Sequence, residues 1–278
     1  MSATEQAVAQ HYTSGALMMR IMGALAEQGV DPSRVTPADL KAGDEFHTGG
    51  VRATDHLFDQ LDINSDTRVL DVGSGIGGTA RYVAQRFGAA VTGVDLTPEF
   101  VTTAQRLSQM VGLGDKTVFH VASALRMPIA DQSFDLAVMM HVGMNIADKA
   151  ALMSEISRAL VPGGTFAVFD VMQGERPGDV VYPLPWSERA DTSFIAAPSD
   201  YRLAAHDAGL DLITETDRSD FAKSFFQKSF AKVAAQGSAP LGVHLMMGDR
   251  AGEKLGNYLK TIEAQRIAPT EMIFRKLI

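Results

Sequence analysis

The feature that most constrains the fold is an apolar run, residues 69–72, that ends abruptly in the glycine-rich turn 73–78. Closely spaced glycines let the backbone bend sharply and approach a ligand without an intervening Cβ. Helical sequence begins at Thr79, and the start of a helix presents unpaired N–H groups to whatever lies at the turn. The pattern predicts a nucleotide-type site. Because Gly73, Gly75 and Gly78 also satisfy the Gly-x-Gly-x-x-Gly pattern of dinucleotide-binding folds, the turn alone leaves two cofactor classes open.

Strand and helix patterns alternate along the rest of the chain. Strands are predicted at 69–72, 90–94, 116–121, 134–140, 165–170, 210–215 and 271–277, and helices at 79–87, 97–112, 148–160, 199–209, 222–235 and 252–265. The segment 177–198, rich in proline and aromatic residues, is predicted to leave the core. The alternation indicates an α/β fold, a Rossmann-like doubly wound parallel sheet with helices on both faces.

The N-terminal part precedes the first strand and has a different pattern. Apolar spacing over residues 4–28 predicts one helix, Thr36 caps a short turn of helix, and a further helix is predicted at 51–61. Between them the segment 43–50 has no regular period. It is interpreted either as a loop that closes over a ligand or as a polar loop in which Asp44 and Glu45 are solvated.

Charge and composition exclude several classes of function. The formal net charge is −8 and no Lys/Arg-rich run interrupts it, so no nucleic-acid partner is expected. With no cysteine, thiol nucleophiles and thiolate metal sites are excluded, and no metal is expected. No secretory signal and no apolar run long enough for a bilayer are visible, so no membrane partner is expected. A cytoplasmic enzyme acting on a small molecule is predicted; the oligomeric state stays open, with a homodimer as one option.

Two acids flank the predicted ligand crevice. Asp71 precedes the glycines and Asp95 follows the second strand, and these strand ends are neighbours in a doubly wound sheet. An acid at the position of Asp95 can accept hydrogen bonds from ribose hydroxyls, which suits a nicotinamide cofactor equally well. A nicotinamide enzyme, however, has a pyrophosphate to neutralise, whereas Asp71 adds negative charge beside the turn. A cationic, phosphate-free nucleotide, S-adenosyl-L-methionine, therefore fits better.

Several motifs strengthen this interpretation. They are Asp71-x-Gly73-x-Gly75-x-Gly77, Asp95, Pro162-Gly163-Gly164, and the segments 44–50, 140–149, 185–186 and 240–244. Together they resemble the class I S-adenosylmethionine-dependent methyltransferases, and more narrowly a bacterial subgroup labelled sarcosine and dimethylglycine methyltransferase-like. The resemblance implies a seven-stranded sheet whose last strand is antiparallel, in a domain 66–278. It further implies a helical lid formed by residues 1–65 and by insertions at about 172–198 and 218–266.

The resemblance also implies a set of cofactor contacts. They are Asp71, Gly73, Ser74, Gly75, Gly77, Asp95, Leu96, Ser123, Ala124, Leu125 and His141. Ser123 departs from the pattern, because related sequences commonly place an Asp there to accept a hydrogen bond from the adenine amino group. A serine oxygen or a backbone group is the expected substitute.

Two histidines are the candidate catalytic residues. His141 follows the fourth strand at the crevice and is the first choice for a base if the acceptor arrives protonated; His47 is the second. Candidate substrate contacts lie around them and in the predicted lid: Tyr12, Phe46, Met144, Asn145, Trp186, Phe194 and His244. Aromatic faces suit an amine or its methylated cation, and together with the likeness to the subgroup they predict an amine or amino-acid derivative as the acceptor. An oxygen, carbon or sulfur acceptor stays open. Each of these residues also has a purely structural interpretation, as a core aromatic or a strand-capping histidine.

Two alternatives remain at this point. One is an NAD(P)-dependent oxidoreductase, against which stand Asp71 and the absence of a Tyr-x-x-x-Lys pair. The other is a protein that binds S-adenosylmethionine without catalysis.

Overall fold

The computed structural model describes residues 1–176 and 178–278; Pro177, the first residue of the predicted excursion 177–198, lies outside the described residues. The helices are α1 Ala3–Tyr12, α2 Leu17–Glu27, α3 Pro37–Asp44, α4 Val51–Phe58, α5 Gly78–Phe87, α6 Pro98–Met110, α7 Lys149–Ala159, α8 Pro198–Asp207, α9 Ser219–Gln236, α10 His244–Met247 and α11 Ala251–Glu263. The strands are β1 Arg68–Val72, β2 Ala90–Asp95, β3 Thr117–Val121, β4 Phe134–Met140, β5 Leu160–Gln173, β6 Leu210–Asp217 and β7 Ile267–Lys276.

The strands form one seven-stranded sheet in the order β3-β2-β1-β4-β5-β7-β6. β1 to β5 are parallel to one another, and β7 runs antiparallel to both β5 and β6. The predicted fold class and the antiparallel last strand are confirmed. β5 is longer than predicted, because it begins at Leu160 and pairs with β7 as far as Gln173.

The sheet separates two layers of helices. On β4, Leu136, Val138 and Met140 pack against α4 and α5, whereas Ala137 and Met139 face the side of α7 and α8. This alternation follows from the two-residue period of a strand, and apolar side chains on both faces are what a central parallel strand requires. The site at the strand ends therefore rests on central strands that are buried on both faces.

The predicted helix 4–28 is wrong in one respect: it is two helices, broken after Tyr12. The break occurs because Glu99, in the first turn of α6, accepts hydrogen bonds from the backbone N–H groups of Ser14 at 2.6 Å, Gly15 at 3.0 Å and Leu17 at 2.8 Å. Gly15 adopts a φ of +76°, which glycine permits at no steric cost. α1 therefore leaves the line of α2.

The segment 43–50 is docked on the core and is not a solvated loop. Asp44 forms a two-point ion pair with Arg81 of α5, and both side chains are buried. The chain approaches α5 so closely that a Cβ on Gly78 would lie 2.1 Å from the Asp44 carbonyl oxygen. Glu45 is also buried and accepts a 2.7 Å hydrogen bond from Thr54. The expectation that these two acids are solvated is wrong, because each has a buried partner.

No helix among the described residues is both long enough and apolar enough to cross a bilayer.

Candidate active site

A cavity of about 1370 Å³ lies at the carboxyl ends of β1, β2 and β4. α1, the segment 41–52 and the region from α9 to α11 form the rest of its wall. Most of the predicted site residues line it: Tyr12, Phe46, His47, Gly73, Ser74, Gly75, Asp95, Leu96, Ser123, Ala124, Leu125, His141, Met144, Asn145, Trp186 and His244. Asp71, Gly77 and Phe194 are outside this lining.

The glycine turn is fixed to the end of β2. The N–H groups of Gly73 and Ser74 both donate to the Val94 carbonyl, at 2.8 and 2.9 Å. Gly73 has a φ of +75°, and a Cβ there would lie 2.3 Å from the Val142 side chain. Gly75, at φ +53°, has nothing within 4 Å of where its Cβ would stand. The turn is tightly packed on one side and leaves open space on the cavity side, as a cradle for a ligand requires.

The Asp95 carboxylate is held by backbone donors at the cavity edge. One oxygen accepts from the Gly75 N–H at 2.8 Å and the other from the Thr97 N–H at 2.8 Å. Burial raises the pKa of Asp95, while these hydrogen bonds oppose the rise. Since a carboxylate has about four lone-pair sites, acceptor capacity remains for a donor of a ligand.

Asp71 lies behind the glycine turn, buried and incompletely bonded. Its Oδ2 atom and the Ser74 hydroxyl oxygen have no hydrogen-bond partner among the described residues. Burial, together with the negative charge of Asp95, raises the pKa of Asp71 to about 7. Buried polar atoms are normally paired, so Asp71 Oδ2 and the Ser74 hydroxyl are free to bond a donor of a ligand at the turn or a buried water.

His141 has both ring nitrogens engaged. The Phe169 carbonyl lies 3.0 Å from Nδ1, which must therefore carry the proton. Nε2 then accepts from the Thr48 hydroxyl at 2.8 Å, and Tyr258 donates to that hydroxyl at 2.8 Å. Burial lowers the pKa of His141 to about 3, so the imidazole is neutral.

His47 is bonded as well. The Thr54 hydroxyl donates to Glu45, so in its 3.0 Å contact with His47 Nε2 it accepts. Burial lowers the pKa of His47 to about 4. Both predicted bases reach the cavity, but each is a weak base, and His141 must lose its bond from Thr48 before it can accept a substrate proton.

Three predicted substrate contacts are joined by hydrogen bonds across distant segments. The Tyr12 hydroxyl donates to Asn145 Oδ1 at 3.1 Å, and Asn145 Nδ2 donates to the Trp186 carbonyl at 3.0 Å. Trp186 packs edge-on against Tyr258, with ring centroids 5.4 Å apart. These contacts join α1, the loop after β4 and the segment after β5 into one wall.

The remaining predicted contacts differ in their surroundings. Phe46 packs edge-on against Tyr12, and His244 lies at the first position of α10. Phe194 is held through its backbone, because its N–H donates to the Met144 carbonyl at 2.7 Å and its carbonyl accepts from Lys149 at 2.9 Å. The structure places Phe194 beside the wall and not in it.

Sequence reasoning missed three residues that shape the cavity. Thr48 bonds to Nε2 of His141 and in turn to Tyr258, and Glu5 contacts Ser123. Thr48 lies in a segment already singled out, and Ser2-x-x-Glu5 is a capping-box signal that indicates only a helix start. Tyr258 carries no local signal, because its partner is 210 residues away.

Comparison with known proteins gives matches to methyltransferases. A family model described as a methyltransferase domain matches residues 70–168. Methyltransferase GfsG of Streptomyces halstedii is 30% identical over 192 residues, which is 68% of this chain and 66% of that protein. The chain covers a smaller share of other curated relatives: 29% of a tocopherol O-methyltransferase and 34% of phosphoethanolamine N-methyltransferase 3, both of Arabidopsis thaliana.

Two solved structures extend the likeness in fold. A putative sarcosine dimethylglycine methyltransferase from Galdieria sulphuraria has a TM-score of 0.67 at 21% identity, covering 82% of this chain and 86% of that one. The [4+2]-cyclase SpnF has a TM-score of 0.70 at 21% identity, covering 100% of this chain and 98% of that one. The second match shows that the fold of the whole chain also occurs in a cyclase.

Proposed function

The chain belongs to the class I S-adenosylmethionine-dependent methyltransferases, and from that premise we propose that it transfers a methyl group to a small molecule with an extended apolar body. One observation carries the cofactor half of the proposal. The Asp95 carboxylate, fixed by the Gly75 and Thr97 N–H groups, stands beside a glycine turn that is open to the cavity. The nicotinamide alternative loses its support, because the family match is to a methyltransferase domain.

The residues of the turn fit S-adenosylmethionine. Bound there, it would supply a methyl group on a positively charged sulfur, with a neutral thioether as leaving group. Asp95 would accept from the ribose hydroxyls, and Gly75 leaves room for the ligand. Asp71, with an unpaired oxygen behind the turn, would favour the positive charge of the amino-acid portion. The chain's main task would be to hold the acceptor in line and exclude water.

Apolar and aromatic side chains support an apolar acceptor. On the far side of the cavity α9 contributes Phe225, Phe226 and Phe230, and α11 contributes Leu255 and Tyr258. Pockets that bury most of a ligand are lined in this way, with few polar groups to fix its orientation. We infer that the acceptor presents a hydrocarbon or ring system to this wall.

The charges of the cavity favour this acceptor over a protonated amine. Every carboxylate lining the cavity already has a donor within the described residues: Glu5 from Ser123, Asp44 from Arg81, Glu45 from Thr54, Asp95 from Gly75 and Asp148 from Ala151. Lys41, Arg52, Lys228 and Lys232 also line it, and none forms an ion pair within the described residues. A neutral or anionic polar end therefore suits the cavity better than a cation.

The lid also remains a proposal. We infer that residues 1–65 and the segments at about 172–198 and 218–266 cover the bound pair of substrates, since α1, the segment after β5 and α9 to α11 all contribute to the cavity wall. The histidines would act mainly by position. Neutral His141 would hold Thr48 and Tyr258 against the strand end, and a proton would leave the acceptor through His141 only after Thr48 turns away.

A probe series tests this proposal. The purified chain is titrated calorimetrically with S-adenosylmethionine, and its S-adenosylhomocysteine complex is then titrated with decanol, decanoate, decyl phosphate and decyltrimethylammonium. We expect saturable cofactor binding, and tighter binding of the neutral and anionic probes than of the cation. Preference for the cation would overturn the acceptor class while leaving the cofactor assignment intact.

Turnover separates methyl transfer from the second candidate, a reaction without methyl transfer, which the full-length likeness to a [4+2]-cyclase favours. Incubation with S-adenosylmethionine and a library of apolar alcohols, phenols and acids should release S-adenosylhomocysteine. Cofactor binding without any S-adenosylhomocysteine release would favour the second candidate.

A further inference from the structure

The end of β3 is the part of the cavity with an unexpected carboxylate. Ala122, directly after β3, donates from its N–H to the Asp95 carbonyl at 2.9 Å, and Ser123 follows on the cavity wall. β3 lies next to β2 on the side away from β1. The present inference rests on the proposed cofactor site: with the amino-acid portion at the glycine turn after β1 and the ribose at Asp95 at the end of β2, the adenine ring is directed to the end of β3, beside Ser123.

An exocyclic amine needs an acceptor there, and Ser123 is already in use. Its hydroxyl oxygen accepts from the Leu125 N–H at 3.1 Å, and its proton is donated to a carboxylate oxygen of Glu5. Glu5 belongs to α1 and is 118 residues away in sequence. Its other oxygen accepts from the Ser2 N–H at 2.6 Å. A carboxylate with two bonds still has free lone pairs, so Glu5 has more acceptor capacity at this end than Ser123.

We propose that Glu5 accepts a hydrogen bond from the adenine amino group. Through this contact α1 would both cover the cofactor and distinguish adenine from other bases. Glu5 lines the same cavity as Ser123, Ala124 and Leu125. Burial alone would raise the pKa of Glu5, but hydrogen bonds from Ser123 and Ser2 bring it below its usual value, so the carboxylate is ionised at neutral pH. An ionised acceptor makes a stronger hydrogen bond to an amine than a neutral oxygen does.

The far end of α1 is held independently. Tyr12 donates to Asn145, and Glu99 binds the N–H groups that follow the helix. Glu5 is therefore presented to Ser123 by a helix that is anchored at its other end.

Glu5 also has a structural role, and the experiment has to separate the two. It completes a capping box with Ser2 at the start of α1. Glutamine serves equally well at this position of a capping box, so Glu5→Gln keeps the helix start and removes only the charge. Glu27→Gln, an exposed charge at the end of α2, is the matched control.

The experiment measures how strongly the protein prefers the adenine-containing ligand over one with a different base. Dissociation constants are measured for S-adenosylhomocysteine and for S-inosylhomocysteine, in which a keto oxygen replaces the amino group. We expect the natural chain and Glu27→Gln to prefer adenine by about 10- to 100-fold, the factor that corresponds to a hydrogen bond with a charged partner. In Glu5→Gln the ratio should fall to within a few-fold, because the amide can donate to the keto oxygen.

A second variant places a carboxylate on the β3 side of the proposed adenine site in place of the one on α1. Ser123→Asp combined with Glu5→Gln should bring back the preference for adenine, whereas Ser123→Asp alone places two carboxylates together and should weaken binding of both ligands. A double variant indifferent to the base would count against adenine lying between these side chains.

The outcomes distinguish this inference from the proposed function. If the natural chain binds neither nucleoside, the cofactor assignment itself fails. If it binds S-adenosylhomocysteine and Glu5→Gln keeps the full preference for adenine, the cofactor assignment stands and the role of Glu5 is overturned.

Discussion

The two halves of the cavity are built in different ways. The cofactor half consists of β1, the glycine turn and the end of β2, and its key hydrogen bond joins Gly75 to Asp95 across 20 residues. The acceptor half is assembled from distant segments: Tyr12 reaches Asn145 across 133 residues, and Thr48 reaches Tyr258 across 210. The first half is mostly backbone and carboxylate, whereas the second is mostly aromatic side chains.

This difference indicates which half of the cavity can change its ligand specificity. Backbone N–H groups and a strand-end carboxylate are set by a short stretch of chain, so the cofactor half varies little with the rest of the fold. The acceptor half depends on how α1 and the region from α9 to α11 dock on the sheet. Changes there alter the acceptor site while leaving the contacts of the glycine turn and Asp95 in place.

The largest effect on stability is expected where the segment 43–50 is bound to the sheet domain. Arg81→Ala leaves Asp44 buried without its cation, which should cost about 3–5 kcal/mol of the free energy of unfolding. Denaturant unfolding measures it. Arg86→Ala on the same helix is the control and should cost little, because its ion pairs are exposed. Equal losses in the two variants would mean that the buried pair does not anchor this segment.

The next largest effect is confined to the cofactor half. Asp95→Ala should weaken binding of S-adenosylmethionine by about 1.5–3 kcal/mol, the contribution of hydrogen bonds to a charged group. Titration calorimetry measures the affinity, with the exposed Asp115→Ala as control. Unchanged affinity would show that the ribose lies elsewhere.

A pH titration of cofactor binding tests the role of Asp71, whose pKa is raised to about 7 by burial and by Asp95. A cationic ligand favours the ionised carboxylate, so the protonated form of the free protein must lose its proton before it binds. Affinity for S-adenosylmethionine should fall by up to about tenfold per pH unit below pH 7, and it should be restored as the pH rises.

The Asp71→Asn variant tests whether Asp71 is the group whose titration causes this pH dependence. It should bind more weakly at pH 7.5 and show a flatter pH profile. A profile as steep as that of the natural chain would assign the titration to another group, of which Asp95 is the first candidate because burial raises its pKa too.

The smallest effect is expected in the acceptor half. Tyr12→Phe removes one hydrogen bond to Asn145 and should cost about 0.5–1.5 kcal/mol of the free energy of unfolding. It should change the affinity for the decyl probes while leaving that for S-adenosylhomocysteine within twofold. Tyr82→Phe removes a 2.6 Å bond to Asp55 outside the cavity and is the control. A loss of cofactor affinity in Tyr12→Phe alone would show that the two halves are coupled through α1.

The predictable part of the fold has a physical reason. Alternating strand and helix patterns and a glycine turn are local signals, and right-handed crossovers leave few ways to arrange them. They were enough to predict the parallel part of the sheet and the position of Asp95 at the cavity, whereas the antiparallel last strand was implied by the family resemblance. The break between α1 and α2 was not predictable in this way, because it depends on Glu99 of a distant helix.

The sheet follows from contiguous strand, turn and helix patterns whose geometry is set by backbone sterics, and the family follows from motifs that are equally contiguous. Only the tertiary structure decided the protonation of His141, the burial of Asp44 and Glu45, and the contact of Glu5 with Ser123. Each of these depends on a partner far away in sequence. Burial, which shifts their pKa values, exists only after the segments have packed.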